Sequence, residues 1–238
     1  MSATWEEPAF RRVTGNTWRP GGLELTRRAL DWCAARNLLR PGGLALDMGC
    51  GAGGTLNLLT SLGLRAVGLD RRANPDAEAA QGAAWRMCAD VTRPPLAAGI
   101  ADILLFECVL SLLAEPRTAL CAASRVLARG GICIVSDITL RIATASEQRD
   151  ASSCFSGALS PRDWRALLQT AGLRVLHEED HSHALAQLAA RLVWYDEDTA
   201  DRTETCLARV CGFPSSGKSC QPRGYGLWIA RKEAICTP

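Results

Sequence analysis

Short apolar runs alternate with amphipathic stretches through the first 137 residues. LALDMG (44–49), RAVGLD (65–70), AAWRMCAD (83–90), ADILLFEC (101–108) and GICIVSD (131–137) are each bounded by Gly, Pro or Asp. Continuous apolar runs of this length predict strands buried on both faces. Between them, TRRALDWCAARNLL (26–39) places Leu30, Cys33 and Ala34 on one helical face. GTLNLLTSLG (54–63) predicts a second helix, and PRTALCAASRVLARGG (116–131) a third, stopped by its Gly-Gly pair. The rhythm then changes: 139–158 is polar without a strong period and reads as a loop. SPRDWRALLQTAG (160–172) predicts a helix capped by Ser160, with Pro161 in its first position and Asp163 in its first turn. A sixth strand (173–180), a helix (183–195) and a last strand (224–233) complete the pattern. Strands alternating with helices predict an α/β fold with a mostly parallel sheet and right-handed crossovers. No repeat or low-complexity linker divides the 238 residues, so a single domain is expected.

Composition narrows the classes. A charged content of 22% and a net charge of +2 give no strong field for nucleic acid or a membrane surface. No apolar run approaches the ~18–20 residues of a membrane span. MSATWEEPAFRR lacks the layout of a signal peptide, so a cytoplasmic protein is expected. Eleven cysteines without a leader argue against a disulfide framework. Cys33, Cys50, Cys88, Cys108, Cys121 and Cys133 lie in apolar segments and read as small buried hydrophobes. Cys206, Cys211, Cys220 and Cys236 do not fit that reading.

The chemistry gathers at LDMGCGAGG (46–54), which follows the first strand and opens a helix. Gly49, Gly51 and Gly53 let the backbone turn and approach a ligand closely, and the helix start offers N–H groups. Gly49, Gly51 and Gly54 also spell G-x-G-x-x-G, with Asp70 about 20 residues on, so a dinucleotide site stays open on these residues alone. That alternative, an NAD(P)-dependent oxidoreductase, leaves Asp47 and Asp90 without a role.

In order along the chain, LDMGCGAG, VGLD, CADVTRPPL, ADILLFECVLSLL, RVLARGGICIVSD and SPRDWRALLQTAGLRVLHEED resemble the class I S-adenosylmethionine (SAM)-dependent methyltransferases, of the type 11 kind. The resemblance implies a Rossmann-like seven-stranded sheet in the order 3-2-1-4-5-7-6, the last strand antiparallel. It implies cap helices over 1–40, a SAM-binding half over 41–138 and a substrate-side half over 139–238. It also implies that Asp47 and the loop residues Gly49, Cys50, Gly51 and Gly53 border the cofactor. Asp70, with Arg71 beside it, would accept the ribose hydroxyls, and Asp90, with Val91, would read the adenine. Glu107 and its neighbours would border the methionine part. NTWRPGGLELT (16–26) would close over SAM, with Arg19 offered to its carboxylate. RPGGLELT and the cysteine-rich tail are more distantly similar to small bacterial methyltransferases associated with radical-SAM selenoproteins.

Asp137, at the end of the fifth strand, and His181, past the sixth, are the candidate catalytic bases. Singly, Asp47, Asp70 and Asp137 are also ordinary turn residues. His177, His181 and His183 lack a partner at ligand spacing, so no metal is expected. GFPSSGKS (212–219) is a literal P-loop string, but it follows a helical stretch and precedes Pro222. Lys218 therefore reads as no phosphate ligand. Cys206, Cys211 and Cys220 are either reduced bystanders or a thiol-lined loop for a soft sulfur, selenium or arsenic nucleophile. The expected partner is a small molecule, and a non-catalytic SAM-binding protein is the remaining alternative.

Overall fold

Residues 8–72, 84–140, 157–195 and 223–233 are described by the computed structural model of the chain. Seven strands form one sheet: β1 (Leu44–Met48), β2 (Arg65–Asp70), β3 (Ala84–Cys88), β4 (Ala101–Glu107), β5 (Leu127–Leu140), β6 (Leu173–Asp180) and β7 (Arg223–Lys232). Their order is β3-β2-β1-β4-β5-β7-β6, as the resemblance implied. Every pairing is parallel except those of β7, which runs against both β5 and β6. The helices are α1 (Pro8–Thr14), α2 (Gly22–Ala34), α3 (Gly54–Ser61), α4 (Pro116–Val126), α5 (Pro161–Thr170) and α6 (Ser182–Tyr195). A 3-10 turn, Leu110–Leu112, follows β4.

The core lies on both faces of the sheet because neighbouring strand residues point oppositely. Ile103 and Leu105 of β4, Ile132 and Ile134 of β5, and Leu227 and Ile229 of β7 pack with α1, α2, α3 and α6. Leu104 and Phe106, Cys133 and Val135, and Trp228 and Ala230 pack on α4 and α5. On that second face Trp164 of α5 donates its indole N–H to the Ile138 carbonyl at 3.0 Å. No helix among the described residues is long and apolar enough to cross a membrane.

Two sequence expectations change here. The helix read over 116–131 ends at Val126, because Leu127 turns extended and pairs with Ala101. Gly130, with φ 75, then belongs to an irregular step in β5 rather than to a helix stop. Of the six cysteines read as buried, Cys33, Cys50 and Cys133 are buried, while Cys88 and Cys121 are exposed and Cys108 is half-buried. Burial pushes each of the three enclosed thiols up to about 12. Cys88 lies at the end of β3, an edge strand, and Cys121 faces outward on α4, so periodicity and not apolar context decided their exposure.

The cap read at Ser160 is present: its hydroxyl accepts the Asp163 N–H at 3.1 Å. Ser160→Ala is expected to cost about 1 kcal/mol. For a chain of this length that is roughly 2–4 °C in Tm, measurable by thermal denaturation.

Candidate functional site

The glycine loop leaves β1 and enters α3 at the carboxyl end of the sheet, next to β2 and β4. Gly49, Gly51 and Gly53 all have positive φ, at 91, 48 and 91. Their lack of side chains is used. A Cβ at Gly49 would meet Val109 at 2.5 Å, one at Gly51 the Trp18 ring at 3.2 Å, and one at Gly53 the Arg86 guanidinium at 3.1 Å. The loop is tied to β2 by the N–H groups of Gly49 and Cys50, both donated to the Leu69 carbonyl. Gly51 donates to the Asp70 carboxylate at 3.0 Å, and the other Asp70 oxygen accepts the Arg72 N–H. Trp18, covered in turn by the Arg11 guanidinium 4.5 Å from its ring centre, brings the segment before α2 onto the loop.

Beneath the loop lies an enclosed ionic set. Arg19 pairs with Glu107 at 2.8 Å, and both side chains are about 5% exposed or less. Glu107 also accepts the hydroxyls of Thr26 at 2.6 Å and Thr55 at 2.7 Å. The Arg19 guanidinium donates further to the Thr17 and Gly22 carbonyls and to both threonine hydroxyls. Four elements therefore converge: the segment before α2, α2, α3 and the end of β4. Asp47 of β1 is buried in the same neighbourhood. Burial, then the nearby Glu107 carboxylate, push Asp47 up to about 8, against the opposing pull of Arg19. Sequence reading offered Arg19 to a ligand's carboxylate; here its two Nη groups are occupied by Glu107, threonines and carbonyls. Of the guanidinium, the fully buried Nε has no hydrogen-bond partner among the described residues, a state it shares with the indole Nε1 of Trp228.

The remaining candidates divide. Asp70 stands at the loop. Asp90 is exposed and accepts both the N–H and the hydroxyl of Thr92 at 2.8 Å, which hold it below its usual range. Val91 beside it is buried, and Arg71 is exposed. The Cys50 side chain turns under the loop toward Gly68, where a Cβ would lie 2.7 Å from its sulfur.

Asp137 and His181 do not join the set. Asp137 is fully enclosed and accepts the Ser111 hydroxyl at 2.5 Å and the N–H groups of Ser111 and Ile138. Burial raises it to about 6, opposed by those donors. It thus caps the 3-10 turn from inside and presents no oxygen to a substrate. His181 follows β6, three strand spacings or ~14 Å from β4. Its Nε2 lies 2.7 Å from Glu179. Glu179 also takes Arg28 and His177, and Arg28 foremost brings its carboxyl down to about 2. His177 stacks on Trp32 with ring centres 4.7 Å apart. Lys218, Cys206, Cys211 and Cys220 lie outside the described residues.

Thr55 and Arg86 join this candidate set and were not read from the sequence, while Trp18 and Thr26 lie in the 16–26 segment, which was read only as a whole. Thr55 could have been found as a hydroxyl in the first turn after the loop. Arg86 could have been found as a lone charge within an apolar strand.

Residues 46–135 match the family model described as methyltransferase domain. No curated protein matches the chain in sequence. Among solved structures, the [4+2]-cyclase SpnF is 23% identical with a TM-score of 0.66, over 98% of this chain and 87% of that one. Haemonchus contortus phosphoethanolamine N-methyltransferase 2, solved with phosphomonomethylethanolamine and S-adenosylhomocysteine, is 14% identical with a TM-score of 0.73. That match spans 95% of this chain but just over half, 56%, of the other. Burkholderia thailandensis 1,6-didemethyltoxoflavin-N1-methyltransferase, bound to 1,6-didemethyltoxoflavin and S-adenosylhomocysteine, is 14% identical with a TM-score of 0.56, over 96% of this chain and 80% of its own. The chain has the class I methyltransferase fold, and the stretch from β1 to β5 that carries its glycine loop matches the methyltransferase domain family.

Proposed function

We propose that the chain binds SAM over the glycine loop and transfers its methyl group to a small-molecule acceptor. The observation that carries this is the enclosed set of Asp47, Glu107 and Arg19, with Arg19 Nε left unpartnered. Arg19 already matches Glu107, and Asp47, which keeps its proton in the free chain, can ionise against one more positive charge. SAM supplies an electrophilic methyl group on a positively charged sulfonium, and its amino acid end carries an ammonium and a carboxylate. Those charges suit a site with spare acceptors and one spare buried donor. Asp70 is an acceptor-only fork at the position that suits a ribose diol. A pyrophosphate would instead bring negative charge against Asp70 and offer Asp47 no partner on ionising, which weighs against NAD(P) and ATP.

The chain's own part in the reaction is to hold the acceptor and the methyl carbon in line, excluding water. Asp137 is enclosed and His181 is held by Glu179 at the sheet edge, so neither serves as a base on this reading. An acceptor that is partly ionised at neutral pH and strongly nucleophilic when ionised needs none; a free thiol, at about 8.5, is ionised to a few per cent there, so thiols and selenols are the acceptor class we favour.

Calorimetric titration with S-adenosylhomocysteine tests the reading. Micromolar binding is expected, with none of NADH or ATP; binding of NADH or ATP instead would sink it. Asp70→Ala is expected to weaken S-adenosylhomocysteine by about ten- to a hundredfold, the loss of charge-assisted hydrogen bonds. The similarity to a cyclase favours one second reading, in which the cofactor is bound without methyl transfer. Tight S-adenosylhomocysteine binding with no transfer of labelled methyl to thiols, selenols or arsenite would support that second reading.

A further inference from the structure

Arg86 lies on β3, an edge strand, two strands from the loop it reaches. The register explains the reach: Asp47 of β1, Gly68 of β2 and Arg86 of β3 stand in one row across the sheet. Partners in a row share a face, and the middle position has no side chain. The space over Gly68 is filled from above by Cys50, and the Arg86 guanidinium enters beside it. Arg86 Nη1 donates to the Ala52 carbonyl at 3.0 Å and Nη2 to the Gly51 carbonyl. Nη2 also lies 3.6 Å from the Cys50 sulfur. The guanidinium plane is the surface a Cβ at Gly53 would strike, at 3.1 Å.

We infer that Arg86 is a positioning residue for the cofactor, setting the glycine loop by drawing two consecutive carbonyls to its underside. A rigid planar fork suits two adjacent acceptors where a single ammonium does not. A trans peptide points its N–H opposite to its C=O. Holding the Gly51 carbonyl therefore turns the Ala52 N–H to the far side, where a ligand would lie. The same peptide groups left free would sample orientations that put carbonyl oxygens toward the ligand. This inference rests on the SAM reading only for the identity of that ligand.

Two readouts separate the inference from the reading beneath it. Without ligand, hydrogen exchange of the 49–54 amides is expected to speed about tenfold in Arg86→Met. With ligand, Arg86→Met is expected to bind S-adenosylhomocysteine about ten- to a hundredfold more weakly. Arg86→Lys, which keeps the charge but holds one carbonyl, should lose only a few-fold, and it decides the matter if Arg86→Met does not fold. A further mark is the pH at which binding changes. Asp47 is faced by Glu107 of β4, Arg19 before α2, Asp70 of β2 and Arg86 of β3, and Arg86 is one of two groups favouring its ionised form. Removing Arg86 should move that pH upward, which loss of packing alone would not do. Wild-type binding with unchanged affinity, pH dependence and loop exchange in the folded variants overturns the inference. Wild-type protein that fails to bind S-adenosylhomocysteine overturns the SAM reading instead, and the exchange result then stands as the test of Arg86 alone.

Discussion

Arg19→Met is expected to lower the unfolding free energy by about 3–5 kcal/mol and to abolish cofactor binding. The cause is what stays behind. Glu107 keeps its buried place, and its countercharge is gone. Asp47 is already held in the same enclosure with a raised affinity for its proton. The hydroxyls of Thr26 and Thr55 stabilise a carboxylate but bring no net charge. A chain of this size should lose roughly 6–20 °C in Tm for that change. Arg19→Met combined with Glu107→Leu should regain much of the loss, because a buried ion pair replaced as a whole costs far less than one broken. The double variant should still not bind S-adenosylhomocysteine. Thermal denaturation and calorimetry of the three proteins check this. A single variant that melts with the wild type would mean that the pair is not desolvated.

The second large effect is the pH dependence of Asp47. Its carboxyl rises from 3.8 to about 8 on folding, by burial first and then by Glu107. Between those values the folded chain holds a proton that the unfolded chain has released. The stability this group contributes is complete below about 3.8 and is lost as the pH rises through about 8. The slope is at most about 1.4 kcal/mol per pH unit, that of one proton. Asp137 has the same sign, but its raised value of about 6 ends its contribution sooner. Glu179 has the opposite sign: its contribution is present above about 4.5 and is lost as the pH falls from there through about 2. Asp47 therefore dominates the carboxylate slope between about 6 and 8. Asp47→Asn is expected to flatten the pH dependence of urea denaturation there, and to be more stable than wild type at pH ~8. The positive charges of SAM should draw the proton off Asp47, so binding should release a proton near pH 7 and tighten as pH rises. Equal slopes in the two proteins would show that Asp47 is ionised in the free chain.

The sheet was legible because its signals are local. Runs bounded by Gly and Asp marked every strand, and Ser160, Pro161 and Asp163 marked the start of α5. The strand order came from resemblance to a family, since periodicity does not say which strands lie side by side. The start of β5 was misread because Leu127 fits a helix face and a strand equally well, and pairing with Ala101 decided between them. The candidate residues at the loop were readable for the same reason as the strands: Gly49, Gly51, Gly53 and Asp70 sit at strand ends in a short span.

Partnerships across the chain were not legible. Arg19 stood out in the sequence, but that Glu107, 88 positions later, takes its charge follows only from β4 lying beside β1. Arg86 drew no notice, because its task depends on an absent side chain at Gly68 one strand away. Asp137 and His181 looked alike, as polar residues near strand ends. Packing encloses one beneath a turn and ties the other to Glu179 at the far edge. By itself, then, the sequence determined the elements, the glycine loop and the residue types around it, because these depend on neighbours along the chain. The tertiary structure alone decided which charges are buried together and which Arg19 nitrogen is left unpaired among the described residues, because desolvation depends on everything that surrounds a group.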